Sequence, residues 1–83
     1  MTETQISKAI QLARKTHAYE VDSNGEPYIR QLHRLANKMT GLHDRCLVYL
    51  QEGYLSNRIT EEDLQKAGFD TELMDSLRRL KGA

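Results

Sequence analysis

Four clusters of turn-forming residues punctuate the chain, and between them apolar side chains recur three or four positions apart, the period of one face of an α-helix. The clusters are Asp22 to Pro27, Thr40-Gly41, Ser56-Asn57-Arg58, and Gly68 with Asp70. Ile6, Ala9, Ile10, Ala13 and His17 define a first helix, with Thr2 and Gln5 as its capping box. Tyr28, Ile29, Leu32, Leu35, Ala36 and Met39 define a second, with Pro27 in its first turn, where a missing N–H costs nothing. From Leu42 to Leu55 the pattern is denser, and the run Cys46-Leu47-Val48-Tyr49-Leu50 reads as a helix buried on most sides, capped by Thr40. Thr60 and Asp63 form a capping box for a short fourth helix that stops at Gly68. Asp70 or Thr71 caps a fifth, with Leu73, Met74, Leu77 and Leu80 as its buried stripe and Arg78, Arg79 and Lys81 at the negative end of its dipole. The expected architecture is a single all-α domain of about five helices.

With 83 residues there is room for one core and no second catalytic domain. Lys plus Arg and Asp plus Glu are both 12, so no overall field favours nucleic acid or an anionic membrane. The longest apolar run, Cys46 to Leu50, is too short for a signal peptide or a membrane span. One cysteine cannot form an intramolecular disulfide, and Cys46 in an apolar run reads as a buried structural thiol in a reducing compartment. The expectation is a cytoplasmic protein.

The segment ARKTHAYEVDSNGEPYIRQLHRLA, Ala13 to Ala36, resembles the opening of HD-superfamily phosphohydrolases of the kind found in stringent-response (p)ppGpp enzymes. The Gly25-Glu26-Pro27-Tyr28-Ile29 turn carries most of that likeness, and His17 matches the histidine of the family's first helix. RITEEDLQKAGFDTELMDSLRRL, Arg58 to Leu80, continues it. The resemblance implies an HD-like bundle. In that family a His-Pro pair, a His-Asp doublet and a later Asp hold a divalent metal that activates water. Here the His-Pro pair falls on Gln31-Leu32 and the doublet on Gln51-Glu52, and a neutral amide is a poor substitute for an imidazole ligand. The acidic pair after the doublet falls on Leu55-Ser56, the basic loop residue on Asp22, and the last Asp beyond Ala83. The resemblance therefore implies a truncated scaffold without its chemistry: no catalytic residue, no metal site and no cofactor.

His43-Asp44 is a literal His-Asp pair, but it stands eight residues before Gln51-Glu52. Near a helix start, Asp44 is more simply a residue that compensates the dipole. His17 reads as a partly buried histidine bonded to the loop, and His33 as a solvated one beside Arg30 and Arg34. Arg30, Arg34 and Lys38 stand four apart as a basic ridge, whose ordinary explanation is a solvated helix face; no aromatic residues interleave to stack on bases. Tyr49 and Tyr54, five apart, are expected to point to different sides.

The functional expectation is an inactive HD-like binding or regulatory module. It would contact another protein, or a second copy, through apolar surface of helix three that so short a chain leaves uncovered. Two alternatives stand beside it. One is a metal-dependent nucleotide phosphohydrolase using Glu52, His43 or Asp44. The other is a sensor that binds a phosphate or nucleotide without cleaving it, with Arg30, Arg34, Gln31, Gln51 and Glu52 as candidate contacts.

Overall fold

The computed structural model describes residues 3–82. Five helices follow one another: α1 (Glu3–Thr16), α2 (Tyr28–Asn37), α3 (Leu42–Leu55), α4 (Glu61–Ala67) and α5 (Thr71–Gly82). The all-α bundle expected from the spacing of apolar residues is the observed one. The Thr2–Gln5 capping box involves Thr2, which lies outside the described residues.

α3 is central and packs against α1, α2 and α5. It buries Cys46, Val48, Tyr49, Leu50, Gly53 and Tyr54. Ala9 and Ala13 of α1 are wholly buried, and their small side chains let the α1 backbone come close to α3. Leu32 and Ala36 of α2 and Leu73, Met74 and Leu77 of α5 cover two further sides. Ile59, Leu64 and Phe69 fill the space left near α4. Each such large apolar side chain contributes roughly 1.5–3 kcal/mol through burial. The bare apolar face expected on helix three is therefore not observed: its neighbours cover it, leaving Leu55 as an exposed residue near its end.

The turn after α3 depends on close approach. A Cβ on Gly53 would lie 2.6 Å from Ile59 Cδ1 and 3.1 Å from Thr16 Cγ2, so only glycine fits there without movement. The Gly53 carbonyl accepts from the N–H groups of both Arg58 (2.8 Å) and Ile59 (2.9 Å). Asn57, at φ 65°, takes the left-handed conformation that reverses the chain, one that asparagine adopts more readily than most residues. The Thr60–Asp63 capping box forms in both directions, and Gly68 closes α4 with φ 78°.

The loop between α1 and α2 is organised by Asp22. Its Oδ1 accepts from Asn24 N–H (2.8 Å) and Glu26 N–H (3.0 Å), and Gly25 supplies the left-handed turn at φ 79°. An isolated bridge between Val21 and Pro27 and a bond from Tyr28 N–H to the Glu20 carbonyl close the loop at its base.

Four local expectations are corrected. Pro27 is the N-cap of α2 and not its first helical residue. Gly41, not Thr40, is the N-cap of α3, with no side-chain cap bond, because the extended backbone there carries the chain straight into the helix. Leu35 is half-exposed, lying off the Leu32–Ala36–Met39 line that meets the core. Leu80 is also half-exposed, and the neighbouring Lys81, itself exposed, reaches the Tyr54 carbonyl (3.3 Å) with its ammonium 4.6 Å from the Tyr54 ring centre.

Candidate functional site

Where α1 ends, His17 is buried with its Nδ1 2.9 Å from Glu20 Oε2, as expected of a histidine bonded to the loop. A carboxylate can only accept, so Nδ1 carries the ring proton. Burial, reinforced by the nearby Arg58 and opposed by Glu52, holds the imidazole pKa below its ordinary value. The ring is therefore neutral at pH 7, and Nε2 is a buried acceptor with no hydrogen-bond partner among the described residues. Tyr28 packs edge-on against it at 4.7 Å.

Gln31 donates from Nε2 to Asp22 Oδ2 at 3.1 Å. Its amide ties α2 to the loop carboxylate. Backbone N–H donation from Glu26 first, and then Asn24, holds the Asp22 pKa below the ordinary carboxylate range. Gln51 and Glu52 are exposed on α3, and no hydrogen bond joins either to Gln31 among the described residues. The charge of Glu52 is felt at Tyr28 and His17, so it faces the α1–α2 corner. Of the residues named from sequence, Gln31 and Arg34 thus both act on Asp22, and Glu52 acts on the corner where Tyr28 opens α2.

His43 and Asp44 diverge, as neighbours on a helix do. His43 Nε2 lies 3.0 Å from Ser76 Oγ on α5, whereas Asp44 is exposed in the first turn of α3. Among the described residues no group of three or more His, Cys, Asp or Glu side chains is placed to hold a metal ion. Nor is any described helix long and apolar enough to cross a membrane.

Arg30 and Arg34 also part company. Arg34 Nη1 is 2.5 Å from Glu26 Oε1, a pair that braces the loop. Arg30 instead borders, together with Arg14, a cleft of about 530 Å³ between the end of α1 and the start of α2. Ala18, Pro27 and Ile29 supply apolar wall, and His17 and His33 line its inner side. Neither Arg14 nor Arg30 has an acidic partner within ion-pair distance among the described residues.

His33 is not the solvated residue expected. It is half-buried, with Nδ1 2.8 Å from the Tyr49 hydroxyl and the two rings edge-on at 5.5 Å. Burial, and then Arg14, lowers its pKa, while burial raises that of Tyr49. Tyr49 and Tyr54 do point to different partners, His33 and Glu61. The spacing of Arg30 and His33, three apart on α2, was a legible signal for a shared face. Arg14 carries no such signal, because it reaches the cleft only through the way α1 and α2 are each laid against α3.

Comparison with protein-family models, with curated proteins and with solved structures finds no match to this chain.

Proposed function

We propose that the chain is a small cytoplasmic binding module, HD-like in descent, that holds a phosphate-bearing small molecule of the nucleotide class in the α1–α2 cleft without cleaving it. The observation that carries this reading is the pair of guanidinium groups, Arg14 and Arg30, facing one cleft without carboxylate partners among the described residues. Two uncompensated cations repel each other, and an anion between them removes that repulsion. Guanidinium forks match phosphate oxygens in geometry as well as charge. Tyr49 holds the His33 ring through Nδ1, and in the tautomer in which the hydroxyl donates, Nε2 carries the proton and serves as a further donor to the ligand. The cleft volume falls within the range of small-molecule sites, and Ala18, Pro27 and Ile29 offer a surface for the ligand's apolar body. Gln31, Gln51 and Glu52 in place of the family's ligands support binding without hydrolysis. Protein docking through helix three has less support, because α3 is covered.

The test is thermal unfolding with inorganic phosphate and with nucleoside mono- and diphosphates, each with and without Mn²⁺. A ligand at about a hundred times its dissociation constant adds ~2.7 kcal/mol, which raises the midpoint of a domain this small by roughly ten degrees or more. Arg14→Ala and Arg30→Ala should each abolish that shift, and Arg34→Ala should leave most of it. An undiminished shift in the Arg14 and Arg30 variants would remove the proposal. Phosphate release with Mn²⁺ would replace it with a hydrolase.

A further inference from the structure

The charge and donors of the α1–α2 cleft bear on which kind of phosphate group it takes, a question that rests on the binding reading given above. Arg14 and Arg30 bring two positive charges to its walls, and no acidic residue lines it among the described residues. The carboxylates of the adjoining loop are engaged elsewhere. Glu20 pairs with Arg58 and His17, Glu26 pairs with Arg34, and Asp22 accepts from loop N–H groups and from Gln31. Burial, and then Arg14, holds His33 below its ordinary pKa, so its ring adds no charge at neutral pH. The charge at the cleft is that of two guanidinium groups.

A phosphate on an organic molecule comes in two forms. A terminal group has three free oxygens and about −1.5 to −2 charge at neutral pH, with a second pKa of about 6. An internal diester has one oxygen fewer and a single negative charge. A dianion balances both guanidinium groups, whereas a monoanion leaves one of them uncompensated. The donors point the same way. Arg14, Arg30 and His33 are three separate donor side chains at the cleft. The His33 ring is held by the Tyr49 hydroxyl on Nδ1 at 2.8 Å and packs edge-on against the Tyr49 ring, and Nε2 has no hydrogen-bond partner among the described residues. A terminal phosphate offers each of the three donors its own oxygen, and a diester leaves one of them to water.

We infer that the α1–α2 cleft selects a terminal, doubly charged phosphate group over an internal phosphodiester, with Arg14 and Arg30 matching its charge and His33 donating to its remaining oxygen. Tyr49 acts as a positioning residue for that ring. Both arginines are exposed, so water screens each contact and the selection is about tenfold in scale.

The probes are adenosine 5′-monophosphate and its methyl ester, which share base and sugar and differ by one charge and one free oxygen. Each is titrated into the full chain at about pH 8, where the second phosphate proton is gone and His33 is neutral, and amide chemical shifts are followed. The monophosphate should perturb Ala18, Ile29, Arg30 and His33 and bind about tenfold more tightly than the ester. That ratio should shrink as salt rises from about 0.05 to 0.3 M. His33→Phe, which keeps a ring in place, should weaken the monophosphate several-fold and the ester less. Equal affinity of the two probes for the unaltered chain would overturn the selection and leave phosphate binding at the cleft standing. An unchanged ratio in His33→Phe would overturn the part given to His33. Binding of neither probe, or shifts confined to other surfaces, would remove the cleft reading and the selection with it.

Discussion

The Tyr54 hydroxyl donates to Glu61 Oε1 at 2.6 Å, joining the last turn of α3 to the first residue of α4, and Arg78 of α5 grips the same carboxylate with Nε and Nη2, each at 2.9 Å. Three helices thus meet on one carboxylate. The Arg78 hydrogen bond, followed by that of Tyr54, lowers the Glu61 pKa to about 2.

Because the folded pKa lies below the ordinary value of 4.5, the unfolded chain takes up this proton first as pH falls. The stability it contributes is complete above 4.5 and is lost as pH drops toward 2. Urea unfolding at a series of pH values should show that loss, and Glu61→Gln should flatten it. Tyr54→Phe should cost about 1 kcal/mol at neutral pH, the ordinary worth of one such hydrogen bond.

A separate pH window belongs to the histidines. Burial, as first cause, lowers the pKa of both His17 and His33 below 6.5, so the neutral rings fit the folded state better than the charged ones. Stability should therefore be complete above 6.5 and decline as pH falls through the folded values. Unfolding midpoints at neutral and mildly acidic pH measure this, and His33→Gln should remove part of the decline without touching the window of Glu61.

Gly53→Ala sets two effects against each other. Alanine favours a helix over glycine by about 1 kcal/mol. The new Cβ would meet the buried Ile59 Cγ1 at 2.8 Å, where a β-branched residue has little room to turn away. Overpacking of this kind costs about 1–3 kcal/mol, so the net change should be destabilising. Adding Ile59→Val, which removes the nearest methyl, should recover part of it, and a double-mutant cycle in urea would measure the coupling.

Leu50 and Leu73 are wholly buried, one on α3 and one on α5. Truncation of either to alanine should lower stability by about 2–5 kcal/mol, a large share of what a domain this size has. Calorimetry would show it as a drop in midpoint well beyond that of Leu80→Ala, whose side chain is half-exposed.

The helices were legible because breakers and apolar period agree along the chain. Asp22 to Pro27 and Thr60 with Asp63 set local geometry through their own side chains, so their roles can be read without neighbours. Leu35, Leu80 and His33 were misjudged for the opposite reason. Their exposure depends on how a helix is rotated against α3, which period alone fixes only to within a residue or so. The basic ridge is exposed, as its spacing implied, but Arg30 and Arg34, which look equivalent along the helix, differ across it: one meets Glu26 and the other an open cleft.

Cys46 is wholly buried on α3, and burial pushes its thiol pKa up to about 11. At neutral pH hardly any thiolate forms in the native state, and a reagent cannot reach the sulfur until α3 loses its cover. Opening the core would return the thiol to about 8.5 and to solvent together. The rate at which an alkylating reagent marks the protein would then report how often the bundle comes apart, a clock already present in the chain.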